Sequence, residues 1–317
     1  MRPAFSVIFL TTLIGAGQGL FVALYLAALG ASAGWLPEAT HRFHAIGAAL
    51  AVALTAAGLF ASVFHLGRPE RGWRAASQWR TSWLSREIIV LPLFTAGAFF
   101  YALAHGLASG DADTRFTVAL GALTALAALA LYVCTGMIYA CLKFLQEWAT
   151  PLTVINYTLL GLASGFTLAT AYAAFLAPAL APFFGTGAHG LGAAAFASRA
   201  ASLARNARLR PKSTPQTAIG IRHPRIVQTS MGMTGGAFNT REFFHGRTAA
   251  TLRAVRWTFL MLVFPVPAAL LAVGLAWEAA APLAAAFAVQ YLGLLAERWF
   301  FFAEARHPQN LYYQAVS

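Results

Sequence analysis

The sequence predicts an all-α integral membrane protein, a bundle of eight transmembrane helices with one long cytoplasmic loop. Three observations carry that expectation. Of 317 residues, 59% are hydrophobic and only 10% charged, whereas soluble domains carry about a quarter charged residues. The mean hydropathy is +0.64. The apolar residues are also gathered into stretches of about 20, the length that crosses a bilayer core. So few charges leave too little polar surface to face water. Lipid accepts such a surface and requires each segment to satisfy its own backbone amides, which selects helices.

Taken in order, candidate spans fall near residues 4–30, 43–66, 87–108, 115–139, 152–177, 180–203, 256–277 and 280–302. A tight proline-rich turn, Ala177-Pro178-Ala179 through Pro182, divides the fifth from the sixth, and Glu278 to Pro282 makes an equally short link before the last. Arg2 ahead of an apolar run and Ala31-Ser32-Ala33 resemble a signal peptide with its cleavage site. The run of about 25 residues is longer than an ordinary signal core of about 7–15, so this segment is expected to be an uncleaved first helix. Three regions follow: 1–203, six helices of the anchor; 204–255, polar and cytoplasmic; and 256–317, the last two helices with a C-terminal tail.

Charge sets the orientation, because Lys and Arg accumulate on the cytoplasmic side of membrane proteins. With eight spans, all of the 22 Lys and Arg except Arg42 and Arg115 share the side of the N-terminus. Both termini are therefore expected in the cytoplasm. A net charge of +12 and a pI near 10.5 are accounted for by these loops, and nucleic-acid binding is not expected, since it needs a basic folded surface with stacking aromatics outside the membrane.

The 204–255 segment breaks the apolar pattern with Arg208-Leu209-Arg210-Pro211-Lys212 and Met231-Gly232-Met233-Thr234-Gly235-Gly236. It reads either as a disordered basic linker or, because Ile219 to Val227 and Phe238 to Phe244 carry apolar side chains, as a docking platform for another protein of a complex; the second is preferred. Cys134 and Cys141 lie seven apart in one apolar stretch, about 10 Å along a helix axis, too far for a disulfide. Two cysteines cannot hold a zinc or iron–sulfur site alone, and no metal is expected on this chain.

The densest polar constellation joins spans two and three, from His65-Leu66-Gly67-Arg68-Pro69-Glu70-Arg71 to Ser82-Trp83-Leu84-Ser85-Arg86-Glu87. An imidazole at one helix end and a carboxylate at the start of the next can exchange protons with a lipid-soluble redox molecule. The same residues also read as topogenic arginines, a histidine capping a helix C-terminus and a glutamate neutralising an arginine. Ionisable groups at membrane depth favour function. Glu297 and Arg298, near the cytoplasmic end of the last span, match the depth of His65 and suggest an ion pair. Gln18, among Gly15-Ala16-Gly17-Gln18-Gly19, marks close helix packing or a ligand hydrogen bond. His44 and His105 crudely meet the requirement for a bis-histidine haem, but both lie at helix ends, and haem b is not expected. His189 stands alone.

These residues bring out a resemblance. His65-Leu66-Gly67-x-Pro69-x-Arg71, then Ser82-x-Leu84-Ser85-x-Glu87-Ile88, and finally Glu297-Arg298 with Phe300 to Phe302, resemble the membrane-anchor subunits of dimethyl sulfoxide reductase, the DmsC family. The resemblance implies an eight-helix anchor in a bacterial inner membrane. Such an anchor holds a molybdopterin catalytic subunit and an iron–sulfur subunit and exchanges electrons with ubiquinone or menaquinone, with His65 and Glu87 at the quinone. The stretches Tyr139 to Trp148 and Pro151 to Tyr157, and the long 204–255 loop, are similar to the branch serving cytoplasmic sulfite-oxidising, quinone-reducing enzymes.

The expected site is therefore His65 and Glu87 as proton-exchanging groups, with Gln18, Arg71, Ser85, Arg86, Glu297 and Arg298 around the quinone. The chain itself would be a subunit without a redox cofactor of its own. Alternatives are a quinol-oxidising anchor of a dimethyl sulfoxide reductase-type enzyme, a purely structural anchor and, from another class, a small-anion transporter. A transporter would place broken helices and polar groups at the membrane midplane; here the polar groups gather at one face.

Overall fold

A computed structural model describes residues 1–64, 67–108, 114–211, 213–230 and 242–312, and among them every regular element is helical. The long helices are α1 (Phe5–Ser32), α2 (His41–Val63), α3 (Trp83–Gly106), α4 (Thr114–Ala140), α5 (Pro151–Leu176) and α6 (Ala181–Ala207). After a single short turn of helix, α7 (Pro215–Ile219), come α8 (Ala249–Val263), α9 (Pro265–Ala276) and α10 (Ala280–Glu304). A 3-10 stretch, Pro69–Gln78, links α2 to α3.

The starts follow local chemistry. Hydroxyls of Thr40, Ser82, Thr150 and Thr248 accept amide protons from the first turns of α2, α3, α5 and α8, satisfying donors that a helix leaves open. Pro151 occupies the first turn of α5, where its missing amide costs nothing.

Among the described residues seven helices are long and apolar enough to cross a membrane, α8 and α9 counting as one interrupted span. The expected sixth span, α6, is of similar length at 27 residues, but Gly, Ser, His189 and Arg199 dilute its apolar character. Helical structure also reaches past the expected boundaries of the polar segment, which runs from Arg208 to Thr248 because α6 continues to Ala207 and Thr248 caps α8. Within it Ile219, Ile221 and Val227 are exposed. Met231 to Gly236 and most of Phe238 to Phe244 lie outside the described residues.

The bundle is organised around α1, which packs on α2, α4, α5 and α10. Gly19 and Gly165 let α1 and α5 approach to backbone contact; a Cβ on either would collide with the opposing main chain. Gly15 and Gly161 face each other one turn away, so both helices present glycines four apart, the small-residue spacing by which membrane helices pack. Leu93, Phe99, Phe100, Leu123, Leu126 and Leu292 point outward and are exposed, an apolar girdle suited to acyl chains.

The interruption between α8 and α9 falls at Phe264-Pro265. Proline cannot donate, and the side-chain amide of Gln290 donates to the Val263 carbonyl at 3.3 Å, repairing part of the loss from α10. At one end of the bundle the Trp148 indole donates to Phe301 O at 3.0 Å and Arg205 to Gln146 O at 3.0 Å. This end, the basic end of the bundle, collects the starts of α1, α3, α5 and α8 and the ends of α2, α4, α6 and α10 and carries nearly all the arginines.

Candidate functional site

A cavity opens at the basic end between α1, α3, α4, α5 and α10. Its apolar walls include Leu10, Ile14, Leu160 and Leu294; its polar groups include Gln18, Glu87, Thr135, Tyr157 and Arg298. Three of the residues singled out in the sequence, Gln18, Glu87 and Arg298, thus come together from three helices.

Each is held by a neighbour. Thr135 Oγ1 donates to Glu87 Oε1 at 2.5 Å, joining α4 to α3. The Gln18 side-chain amide donates to Ala128 O at 2.8 Å, and Tyr132 donates to Gly15 O at 2.7 Å, so α1 is pinned to α4 on both sides of its glycine turn. The Arg298 guanidinium stands 3.8 Å over the Tyr157 ring, a cation–π contact that strengthens when water is excluded. Glu297 faces the other way: its Oε1 lies 2.8 Å from Arg199 Nε and its Oε2 3.5 Å from Arg298. Glu304 adds a second acid 3.9 Å from Arg199.

The other expected site residues lie elsewhere. His65 falls outside the described residues. Arg71 pairs loosely with Glu70 at 3.9 Å on the exposed 3-10 stretch. Ser85 donates to Ala75 O at 2.5 Å and fastens that stretch to α3. Arg86 donates to the carbonyls of Trp79 and Arg80, both at 2.9 Å, and stacks 4.1 Å over Trp83. Ser85 and Arg86 therefore brace the connection ahead of Glu87 and do not line the cavity.

Sequence reasoning passes over Tyr132, Thr135, Tyr157 and Arg199. Arg199 reads in the sequence as one more topogenic charge, yet it is 2% exposed and forms the closest ion pair of the cluster. A charge inside the apolar sixth segment is the available signal. Around this cluster Tyr139, Trp148, Tyr157, Phe301 and Phe302 form an aromatic box, with Trp148 stacked on Phe301 at 5.0 Å and Tyr139 on Tyr157 at 5.5 Å.

At the opposite end, His44 and His105 meet ring against ring at 4.9 Å between centres, and His41 Nδ1 lies 3.0 Å from His105 Nδ1. Among the described residues no group of three or more His, Cys, Asp or Glu is arranged to hold a metal ion. Cys134 and Cys141 are both free thiols.

A carboxylate braced by a hydroxyl, a fixed amide and an enclosed guanidinium, set in an apolar cavity, can bind a neutral amphiphile, exchange protons with it and balance developing negative charge. Comparison with known proteins agrees with an anchor. Over the full length of both chains the sequence is 54% identical, across 325 positions, to a protein of Allochromatium vinosum named as a sulfite dehydrogenase subunit. Residues 1–183 match the family described as DMSO reductase anchor subunit (DmsC), and the chain belongs to that family of membrane anchors.

Proposed function

We propose that the chain anchors an iron–sulfur subunit and a molybdopterin catalytic subunit at the cytoplasmic face of a bacterial inner membrane and passes their electrons to quinone in the cavity at the basic end. The relative at 54% identity is named for sulfite dehydrogenase, which favours quinone reduction coupled to cytoplasmic sulfite oxidation over quinol oxidation for a dimethyl sulfoxide reductase. In this reading α6 also crosses the membrane, giving eight spans with both termini cytoplasmic, as the positive-inside rule requires. The polar 208–248 segment, with exposed Ile219, Ile221 and Val227, offers the docking surface for the partners.

The meeting of Gln18, Glu87 and Arg298 around one apolar-walled cavity carries the reading. A quinone has carbonyl oxygens that take up protons on reduction and an apolar tail, and the cavity supplies a partner for each. Glu87 is the proton-exchanging group, oriented by Thr135; Gln18 offers its amide; Arg298 supplies the compensating charge. His65, one helix end away in the chain, is a second proton-exchanging group. The transporter alternative is disfavoured because the interruption of α8 and α9 is closed by Gln290 and does not line this cavity.

The test uses the complex purified through this chain, with sulfite as donor. Glu87→Gln should assemble, retain sulfite oxidation by a water-soluble one-electron acceptor, and lose quinone reduction by about 100-fold, the usual scale for removing a general acid–base group. His65→Ala should behave alike. Wild-type quinone turnover in both variants sinks the assignment.

A further inference from the structure

Next to the quinone cavity lies a second, smaller cavity between α5, α6 and α10, and every residue that lines it except Phe301 carries a polar group. Tyr157 and Arg298 belong to both cavities and form the wall between them. Its outer edge is Glu147, a partly exposed carboxylate in the turn between α4 and α5. Its inner surface includes Asn156, Ser202 and Glu297, all buried.

Two features are unexpected for simple packing. Asn156 is 6% exposed, and its Oδ1 has no hydrogen-bond partner among the described residues; the same holds for Arg298 Nε. Buried polar atoms are nearly always satisfied, and the second cavity has room for about one water among several polar partners, which can satisfy them. Second, Arg199, Glu297 and Arg298 are buried charges at one end of a membrane bundle, an arrangement that costs more than an apolar filling of the same volume. Such groups line ion or proton routes.

We propose that this second cavity is the proton entry to the first: water held by Asn156, Ser202 and Glu297 carries protons from Glu147 past Tyr157 and Arg298 to Glu87. The proposal rests on the quinone reading above. Reduction of one quinone consumes two electrons, delivered by the partner's iron–sulfur centre, and two protons, which form the two O–H bonds of the quinol. The apolar walls that suit the quinone tail bar protons from the lipid side, so Glu87 must be reloaded from water after it gives up its proton. The polar cavity is the conduit the geometry offers, and the arginines on either side of Glu297 let it order water without trapping the proton.

The experiment compares the purified complex with its Asn156→Leu and Glu147→Gln variants. It measures binding and sulfite-driven reduction of a short-chain ubiquinone in H2O and D2O, with ferricyanide reduction as a proton-independent control. Asn156→Leu fills the cavity and removes an atom without a partner among the described residues, so the fold should tolerate it. Quinone affinity and ferricyanide turnover should stay at wild-type values, while quinone turnover falls about tenfold or more and its solvent isotope effect rises. Wild-type quinone turnover with an unchanged isotope effect overturns the proposal. If Asn156→Leu fails to assemble, Glu147→Gln at the rim decides: slowed quinone turnover with an increased isotope effect supports the route, and neither change overturns it. Failure of the wild-type complex to bind or reduce the quinone instead overturns the functional reading, and this inference with it.

Discussion

Replacing Arg199 by Met removes one charge from a buried cluster that is neutral as it stands, two arginines against Glu297 and Glu304. The pair distance of 2.8 Å corresponds to a Coulomb attraction of about 6 kcal/mol at an effective dielectric of about 20. Part of this offsets the desolvation of Arg199 itself, and Glu297 retains Arg298 at 3.5 Å. The net loss expected for a buried charge left short of its partner is about 3–5 kcal/mol. Adding Glu297→Gln restores neutrality, so the double variant should recover about 2 kcal/mol of that loss although it carries one more substitution. Equilibrium unfolding of the detergent-purified chain by added dodecyl sulfate, followed by tryptophan fluorescence, reads both numbers. A single variant within about 1 kcal/mol of wild type, or a double variant less stable than the single, would show that Arg199 and Glu297 do not act as a pair, and the buried-pair reasoning would fall.

Gly165→Val places a side chain against the main chain of α1 and should abolish recovery of monodisperse protein, whereas Gly190→Ala, facing open space, should be neutral or stabilise by up to about 1 kcal/mol; size-exclusion yield and unfolding midpoints distinguish them. Gln290→Leu leaves the Val263 carbonyl without its side-chain donor and should cost about 1 kcal/mol in the same unfolding assay. Thr135→Val removes the hydrogen bond that orients Glu87; the apparent KM for a short-chain quinone should rise about tenfold, with turnover by a water-soluble acceptor unchanged.

What the sequence made legible was what depends on composition and local pattern. Apolar stretches located the helix ends to within about four residues except at the start of α8, which lies seven residues ahead of the expected position because Thr248 caps it, and glycines around Gln18 announced close packing. Polarity inside apolar runs was enough to pick out Gln18, Glu87 and Arg298. The same criterion could not separate Ser85 and Arg86 from Glu87, because what divides them is where each side chain turns: one to the Ala75 carbonyl, one to the Trp79 and Arg80 carbonyls, one into the cavity. Arg199 was illegible for another reason. A charge near a span end resembles one that snorkels to water, and only the position of Glu297 on a helix nearly a hundred residues later shows that it is enclosed.

The glycine contact and the candidate site are one construction. Gln18 sits on the turn of α1 that carries Gly15 and Gly19, and those glycines set how closely α1 approaches α5. The same turn is fixed to α4 by the bonds from Gln18 to Ala128 and from Tyr132 to Gly15. Tyr132 is in turn one helical turn from Thr135, which holds Glu87. A shift of α1 by even a fraction of a side chain would therefore move Gln18 and, through α4, the carboxylate as well. Packed membrane interfaces do not deform continuously, so this coupling keeps the polar groups in register without a loop to position them. It also means that a substitution at Gly19 should weaken quinone coupling and assembly together, while one at Asn156 or Glu147, on the far side of Tyr157 and Arg298, should separate them.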